Sequence, residues 1–589
     1  MAWEQSKGKP QLLTQRHPRI HMKLSVLVGL MGLTIFTGNY QRLLVVLPEQ
    51  PNVGRTPSSS AVICAVVKDD EAYIDEWVDY HYALGFQHFF IYDNSNSFEM
   101  KQWAENKGNY ITAVHFPGEL NERDKVYADC VTRAKLGKHP PTWAAFFDVQ
   151  VFLILKRHEK VIEFLRDYGS SGSLSINLVL FGSSGRRVYS PKPVTKRFLY
   201  RDSDPQDQVR LILRLDTDLN RSLPLDTNGN EVAGHSNPHG PSNVAIFHYY
   251  LRSIKEQHSK MGTAIHFRDE KQLANVSKSN HELLNMTVFD DIAWKALTHL
   301  VPRYKLHDLN LAHSAPRFPP SYNGTVAICA VVKYEEAYID EWVDYHHALG
   351  ITHFYIYDNS PEYEMEQWGS EKGEHVTVEH FPGMLIQGRA YRDCLNRYVV
   401  KDGHTWVGMI DADEMVHLKK NNHIVDLLHE RCKSGSLCLN WNIFGPGQQE
   451  VYQPIPFTKR FKYRQSSNVD RHIKCFSKVS DVELTRNPNP HFQFLKNGSH
   501  HDVFGRQLKA PFYWNPTGPS EVSVVHHYST KSFKEYVAKR MRGRADVSND
   551  IPTLIWKAKN KVLNHEFPSF SEAGWDATKK FLPLYQLFD

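Results

Sequence analysis

Short apolar runs of strand length alternate with amphipathic stretches along this chain. Val326 to Val332 is such a run, followed by a polar loop. Tyr338, Ile339, Trp342, Val343 and His346 then recur at three- and four-residue spacing, which predicts an amphipathic helix. His353 to Tyr357 reads as a second strand, ending at Asp358-Asn359. Strand, helix, strand is the right-handed βαβ unit that opens nucleotide-binding α/β domains. Trp406 to Ile410 is a further buried strand, of the kind a parallel sheet covers on both faces. Asp411-Ala412-Asp413-Glu414 follows directly. In extended backbone, side chains two apart point the same way, so Asp411 and Asp413 can address one cation beyond the strand's carboxyl end. Hard divalent cations take such oxygen ligands, and Mg²⁺ is commonly held by one or two carboxylates plus substrate phosphates. No G-x-G-x-x-G follows the first strand, which disfavours a dinucleotide cofactor.

The same pattern occurs twice. Ala61 to Ser95 nearly copies Val326 to Ser360, and His115-Phe-Pro-Gly118 returns as His380-Phe-Pro-Gly383. Thr195-Lys-Arg-Phe198 returns as Thr458-Lys-Arg-Phe461, and His248-Tyr249 as His527-Tyr528. Trp294-Lys-Ala296 finds an echo in Trp556-Lys-Ala558. The chain is a tandem duplication of a unit of roughly 250 residues, far longer than a solenoid repeat. The expected boundaries are 60–308 for the first unit, 309–324 for a linker, 325–570 for the second unit and 571–589 for a C-terminal tail.

The amino terminus reads differently. Residues 1–23 are basic and 24–41 carry no charge, which predicts a cytoplasmic tail and a short transmembrane signal anchor. A cleaved signal peptide is the rival reading. Residues 42–59 read as a stem, and five N-x-S/T sequons (Asn220, Asn275, Asn285, Asn323, Asn497) fit luminal exposure. A type II protein of the Golgi or endoplasmic reticulum membrane is expected.

With 589 residues the chain is too long for one core, and its formal charge of +5 with no basic stripe argues against nucleic acid as a partner. Seven cysteines without a C-x-x-C pair argue against a zinc site. Buried free thiols are the expectation for Cys64, Cys130, Cys329 and Cys394. Cys432, Cys438 and Cys475 have no counterparts in the first half and leave room for a disulfide.

Cys329-Ala-Val-Val-Lys333 with Glu335-Glu336, Glu341-Trp342, Tyr357-Asp358-Asn359-Ser360, Asp411-Ala-Asp413-Glu414 and the closing His527-Tyr528, Lys531-Ser532 and Lys539 to Gly543 resemble the family 92 glycosyltransferases and related family 2-type enzymes. The resemblance covers both units. It implies an α/β fold of two tandem GT-A-type, Rossmann-like domains behind the anchor, a nucleotide-sugar donor and a divalent metal, Mn²⁺ or Mg²⁺. It further implies inversion at the anomeric carbon, with a lean toward galactosyl transfer from a uridine diphosphate donor. The expected acceptor is a glycan or glycoprotein of the secretory pathway.

On the second unit, Asp411 and Asp413 are the expected metal ligands and catalytic acids, with His527 as a third ligand and Glu414 beside them. Lys333, Glu335, Glu336, Asp358 and Lys459 are expected to meet the nucleotide sugar, and Lys539, Arg540, Arg542 and Arg544 its phosphates. Glu414, Asp502 and Glu521 are unranked candidates for the base that takes the acceptor proton. The first unit departs at the decisive place. It reads Asp148-Val-Gln150-Val151, so the second carboxylate is an amide, and charge count governs affinity for a hard cation. The expectation is one working site, in the second unit, beside a decayed copy. A catalytically inactive glycan-binding or scaffold protein is the alternative.

Overall fold

In both halves of the chain an uninterrupted apolar run forms the central strand of a sheet covered on both faces, as Ala61–Val67 and Val326–Val332. The computed structural model describes residues 59–118, 123–168, 172–216, 244–249, 286–308, 318–465, 469–509, 514–516, 518–542 and 567–589. The expected tail, anchor and nearly all of the stem lie outside the described residues. So do Arg544, Trp556, three of the five sequons and residues 309–317 of the linker. Among the described residues no helix is long and apolar enough to cross a membrane. The two described sequon asparagines, Asn323 and Asn497, are exposed.

In the second unit we label the elements that build the site β1 (Val326–Val332), α1 (Ile339–Ala348), β2 (His353–Asp358), β3 (Val376–His380), α2 (Gln387–Cys394), β4 (Trp406–Met409), β5 (Glu414–Leu418), β6 (Ser436–Gly445), β7 (Asp470–Lys478), β8 (Ser523–His527), α3 (Phe533–Met541) and α4 (Ala573–Phe581). Strands run in the order β3-β2-β1-β4-β7-β6, parallel as far as β4 and antiparallel from β4 to β7 and β6. β8 pairs parallel with β6 and antiparallel with β5. The first unit repeats this order strand for strand. Among the described residues the architecture is mixed α/β, with one large sheet in each unit and a separate two-stranded ribbon in the first.

The repeated Trp-Val-Asp-Tyr-His segment acquires a physical role here. Trp342 Nε1 donates to Glu414 O at 2.8 Å, Tyr345 Oη to Val416 O at 2.9 Å, and Val416 N to His346 Nε2 at 3.1 Å. One face of α1 thus fixes the strand that leaves the acidic turn. Burial lowers the His346 pKa to about 4, so it stays neutral and accepts that bond. Trp77 and Tyr80 grip Val151 and Leu153 identically in the first unit.

Two expectations are corrected. Cys64 and Cys130 are not free thiols, nor are Cys329 and Cys394: each pair forms a disulfide between the central strand and the helix packed on it. With the cysteines 66 and 65 positions apart, loop closure in the unfolded chain accounts for about 4 kcal/mol each. Cys438 and Cys475, opposite one another on β6 and β7, form a third, and Cys432 is a buried free thiol. Residues 571–589 are also no tail. They form α4 and a 3₁₀ turn (Pro583–Phe588), with Trp575 buried and its Nε1 donating to Asp589 at 2.7 Å. Trp294 does the same to Asp308, so Trp575 is its counterpart.

Where the units meet, equivalent residues touch each other. Tyr189 and Tyr452 stand at the same place in the two Tyr-x-Pro-x-Pro segments, and their hydroxyls lie 3.2 Å apart, both side chains buried. His307 and Phe588, equivalent in the closing turns, have ring centroids 6.3 Å apart. Self-contact of matching positions is the mark of an isologous interface about a two-fold axis. The duplication is therefore packed as an internal pseudo-dimer, and its apolar core runs continuously through both units.

Candidate active site

The acidic segment after β4 is not extended. Glu414 N donates to Asp411 O at 2.9 Å, and Asp411 N donates to the Glu414 carboxylate at 2.9 Å, which closes a tight turn. Asp411 and Asp413 consequently meet different partners. This corrects the expectation of two parallel side chains.

Asp411, a third exposed, accepts from Lys474 Nζ at 2.9 Å and from Tyr391 at 3.4 Å. Lys474, on β7, is almost fully buried and also lies 3.0 Å from Glu414. Burial pushes Glu414 up to about 8 against the pull of Lys474, so this side chain holds a proton near neutral pH. Asp413 is buried beside Lys539 Nζ of α3 and lies 3.6 Å from His527 Nε2. Burial alone would raise its pKa, but Lys539 and His527 hold it well below the usual carboxylate range. His527 stands directly opposite Glu414 in the β5–β8 ladder and packs on Trp441, its Nδ1 buried without a hydrogen-bond partner among the described residues.

A second ion cluster adjoins the first. Arg542, just past α3, donates to the carbonyls of Lys333 and Tyr334 and to the Glu335 carboxylate. Lys531 reaches the same carboxylate at 3.1 Å. Burial would raise Glu335, but Arg542 and Lys531 hold it at about 2. Its usual value is 4.5, so the stability it contributes is complete above pH about 4.5 and is lost as pH falls through about 2. Glu335→Gln should therefore melt lower than the parent at pH 6, with the gap closing toward pH 2. A gap independent of pH in thermal melts would refute this.

The sequence candidates separate accordingly. The fold brings Asp411, Asp413, Glu414, His527, Glu335 and Arg542 together, with the Lys333 carbonyl at the rim. Asp358 is fully buried, and its oxygens accept from Ser360 N and Met365 N at 2.9 Å, as those of Asp93 do in the first unit. It anchors a turn rather than facing a ligand. Lys459 reaches the Phe588 carbonyl and the Trp575 ring, where it docks the closing segment. Arg540 stacks on Tyr536, 4.8 Å from its ring centre. Glu336 is buried. Of the other base candidates, Asp502 caps its own loop through Phe504 N and Arg506, and Glu521 precedes β8 at the end remote from His527.

Three side chains around the site were given no role by the sequence reading. Lys474 and Lys531 are buried cations, the former disguised within the alternating strand His472-Ile-Lys-Cys-Phe476. Arg460 lies inside the recognised Thr-Lys-Arg-Phe motif. Glu341 accepts from Phe457 N at 2.6 Å and Thr458 N at 3.2 Å, which places Arg460 against Glu535 of α3.

The first unit makes the contrast. Its single acid, Asp148, lies 3.5 Å from Arg123 and 3.1 Å from Arg210. Arg210 occupies the register position of Lys474, two residues before the partner of the mid-strand small residue: Ile212 opposite Ala145, Phe476 opposite Gly408. Two guanidiniums neutralise one carboxylate, and Gln150 adds no charge.

Comparison with known proteins agrees on the second unit. Residues 323–567 match the profile of Glycosyltransferase family 92. A family 92 glycosyltransferase protein of Oryza sativa subsp. japonica is 27% identical over 152 residues, 25% of this chain and 24% of that protein. One from Arabidopsis thaliana is 22% identical over 163 residues, 26% of this chain and 28% of that protein. The matches thus span about a quarter of each relative. The glycosyltransferase GlyE of Streptococcus pneumoniae TIGR4 aligns at 8% identity over 60% of this chain and 91% of its own, but its TM-score of 0.17 carries no argument. The likeness to glycosyltransferase family 92 thus lies in the second unit, residues 323–567.

Proposed function

We propose that the second unit is an inverting hexosyltransferase of GT-A type that moves a sugar, galactose in the first instance, from a nucleoside-diphosphate donor to a secretory-pathway glycan. The observation that carries this reading is Asp413: a buried carboxylate held ionised, flanked by His527 and faced by cations of α3. Asp413 and His527 offer the oxygen and nitrogen donors that Mn²⁺ takes, Asp411 would join them only by turning from Lys474, and the ammonium of Lys539 supplies positive charge where such an ion would be wanted. When bound, the ion would neutralise charge on the departing diphosphate. Lys539, 29% exposed on a flexible stem, is free to turn to a phosphate oxygen, while Arg542 and Lys531 fix the turn after β1 and add positive potential. Glu414, buried and proton-bearing, shapes the turn and is poorly suited to take the acceptor proton.

Three disulfides and exposed sequons favour an oxidising lumen, which agrees with a type II Golgi or endoplasmic reticulum protein anchored by residues 24–41. The test is hydrolysis of a panel of nucleotide sugars by the purified protein, with Mn²⁺ and with chelator. Turnover of one uridine diphosphate sugar, lost on chelation, is expected. No turnover of any donor would favour the glycan-binding alternative.

A further inference from the structure

A side chain of the working unit enters the first unit. Lys534, in the first turn of α3, extends into the first unit and meets Asp69 at 3.3 Å, Glu71 at 2.8 Å and Glu99. Asp69 and Glu71 lie in the turn after the first unit's central strand, the place that Tyr334 and Glu336 hold in the second. A turn positioned for a ligand in one copy thus receives a lysine from the other.

α3 is also the element that carries the site's cations. Lys531 precedes it, Lys539 lies on it and Arg542 ends it. At 100° per residue, Lys534 points about 140° around the helix from Lys539. One flank of α3 therefore faces Asp413, and another is tied to the first unit. Its amino end is held separately: Ser532 and Glu535 form a capping box, and Arg460 and Tyr338 hold the Glu535 carboxylate. That end acts as a pivot. Lys534 supplies a second, off-axis point, and two points fix the rotation that aims Lys539 and Arg542.

We propose that the first unit serves as a clamp, with Lys534 as a positioning residue that sets α3 over the donor site. The clamp's effect on donor binding rests on the function proposed above. Three buried or partly buried acids around one ammonium form a charge-complementary socket between the units. This gives the first unit a reason to persist after losing its own second carboxylate.

The test uses the full-length protein and two readouts. Amide hydrogen exchange over Phe533–Met541 reports the clamp whether or not a ligand binds. Calorimetric titration with uridine diphosphate and Mn²⁺ reports the site. Lys534→Met should raise exchange in α3 and weaken uridine diphosphate about tenfold, as misplacement of binding groups does. Lys534→Arg should restore both. Glu71→Gln combined with Glu99→Gln should reproduce the loss, and adding Lys534→Met to that pair should worsen it little. Unchanged α3 exchange in Lys534→Met would overturn the clamp, as would raised exchange with unchanged affinity. Failure of the parent protein to bind uridine diphosphate would instead overturn the proposed donor, leaving exchange to judge the clamp.

Discussion

Asp413→Asn should abolish sugar transfer while the protein still folds. The amide keeps the shape and removes the charge, and charge is what the site has been built around. Burial disfavours an ionised Asp413, yet Lys539 and His527 keep it ionised. An amide would leave His527 beside a neutral group and cut the attraction for any cation, and a loss of roughly 10³ in turnover is expected when a charge-stabilising group is removed. The structural cost should be small, about 1–2 kcal/mol, because Lys539 is partly exposed and can find water. Gln150→Ala, at the matching place in the first unit, should leave turnover within about twofold, in the manner of substitutions away from special features. Donor hydrolysis by the two variants, with thermal melts as the folding control, makes the comparison. Equal losses would overturn the division of labour between the units.

Much of this arrangement was legible in the sequence because it rests on local periodicity. The run Val326 to Val332 reads as a strand buried on both faces and is one, and Trp342 and His346 fall on one helical face. Duplication then doubled every signal. Direction of side chains was less legible. Strand geometry would put Asp411 and Asp413 on one face, but the strand ends before them in a turn closed by Glu414. Asp358 looked like a ligand because it ends a strand, but its oxygens are taken by the backbone seven residues on and nearer. The disulfides were missed because an apolar context hides a cysteine's partner, which lies on a helix 65 residues away. Lys459 illustrates the same limit: its motif repeats because it docks a closing helix in both units, through Asp308 in one and Phe588 in the other.

Lys474→Met should be the most damaging single substitution to stability. Lys474 is almost fully buried between Asp411 and Glu414, with Met409 O as a third acceptor at 3.2 Å. Methionine matches its length and supplies no charge, so Asp411 loses its counter-ion and the Glu414 carboxyl a polar partner within a covered turn. Removing one partner of a buried ion cluster costs about 3–5 kcal/mol, because the remaining charge is left uncompensated. For a unit of this size that corresponds to a melting temperature lower by about 10 °C. The pH dependence distinguishes this cause from lost packing. Glu414 in the folded protein titrates at about 8 rather than 4.5, so its contribution to stability is complete below pH about 4.5 and is lost as pH rises through about 8. Without Lys474 the group holds its proton to still higher pH, so the deficit of the variant should stay level while Glu414 is neutral in both proteins and widen as pH rises through and beyond about 8. Lys474→Arg should recover most of the loss, since Arg210 holds the same register position against Asp148. A deficit that stays constant across that range would mean that the lysine's methylenes, and not its charge, hold the acidic turn in place.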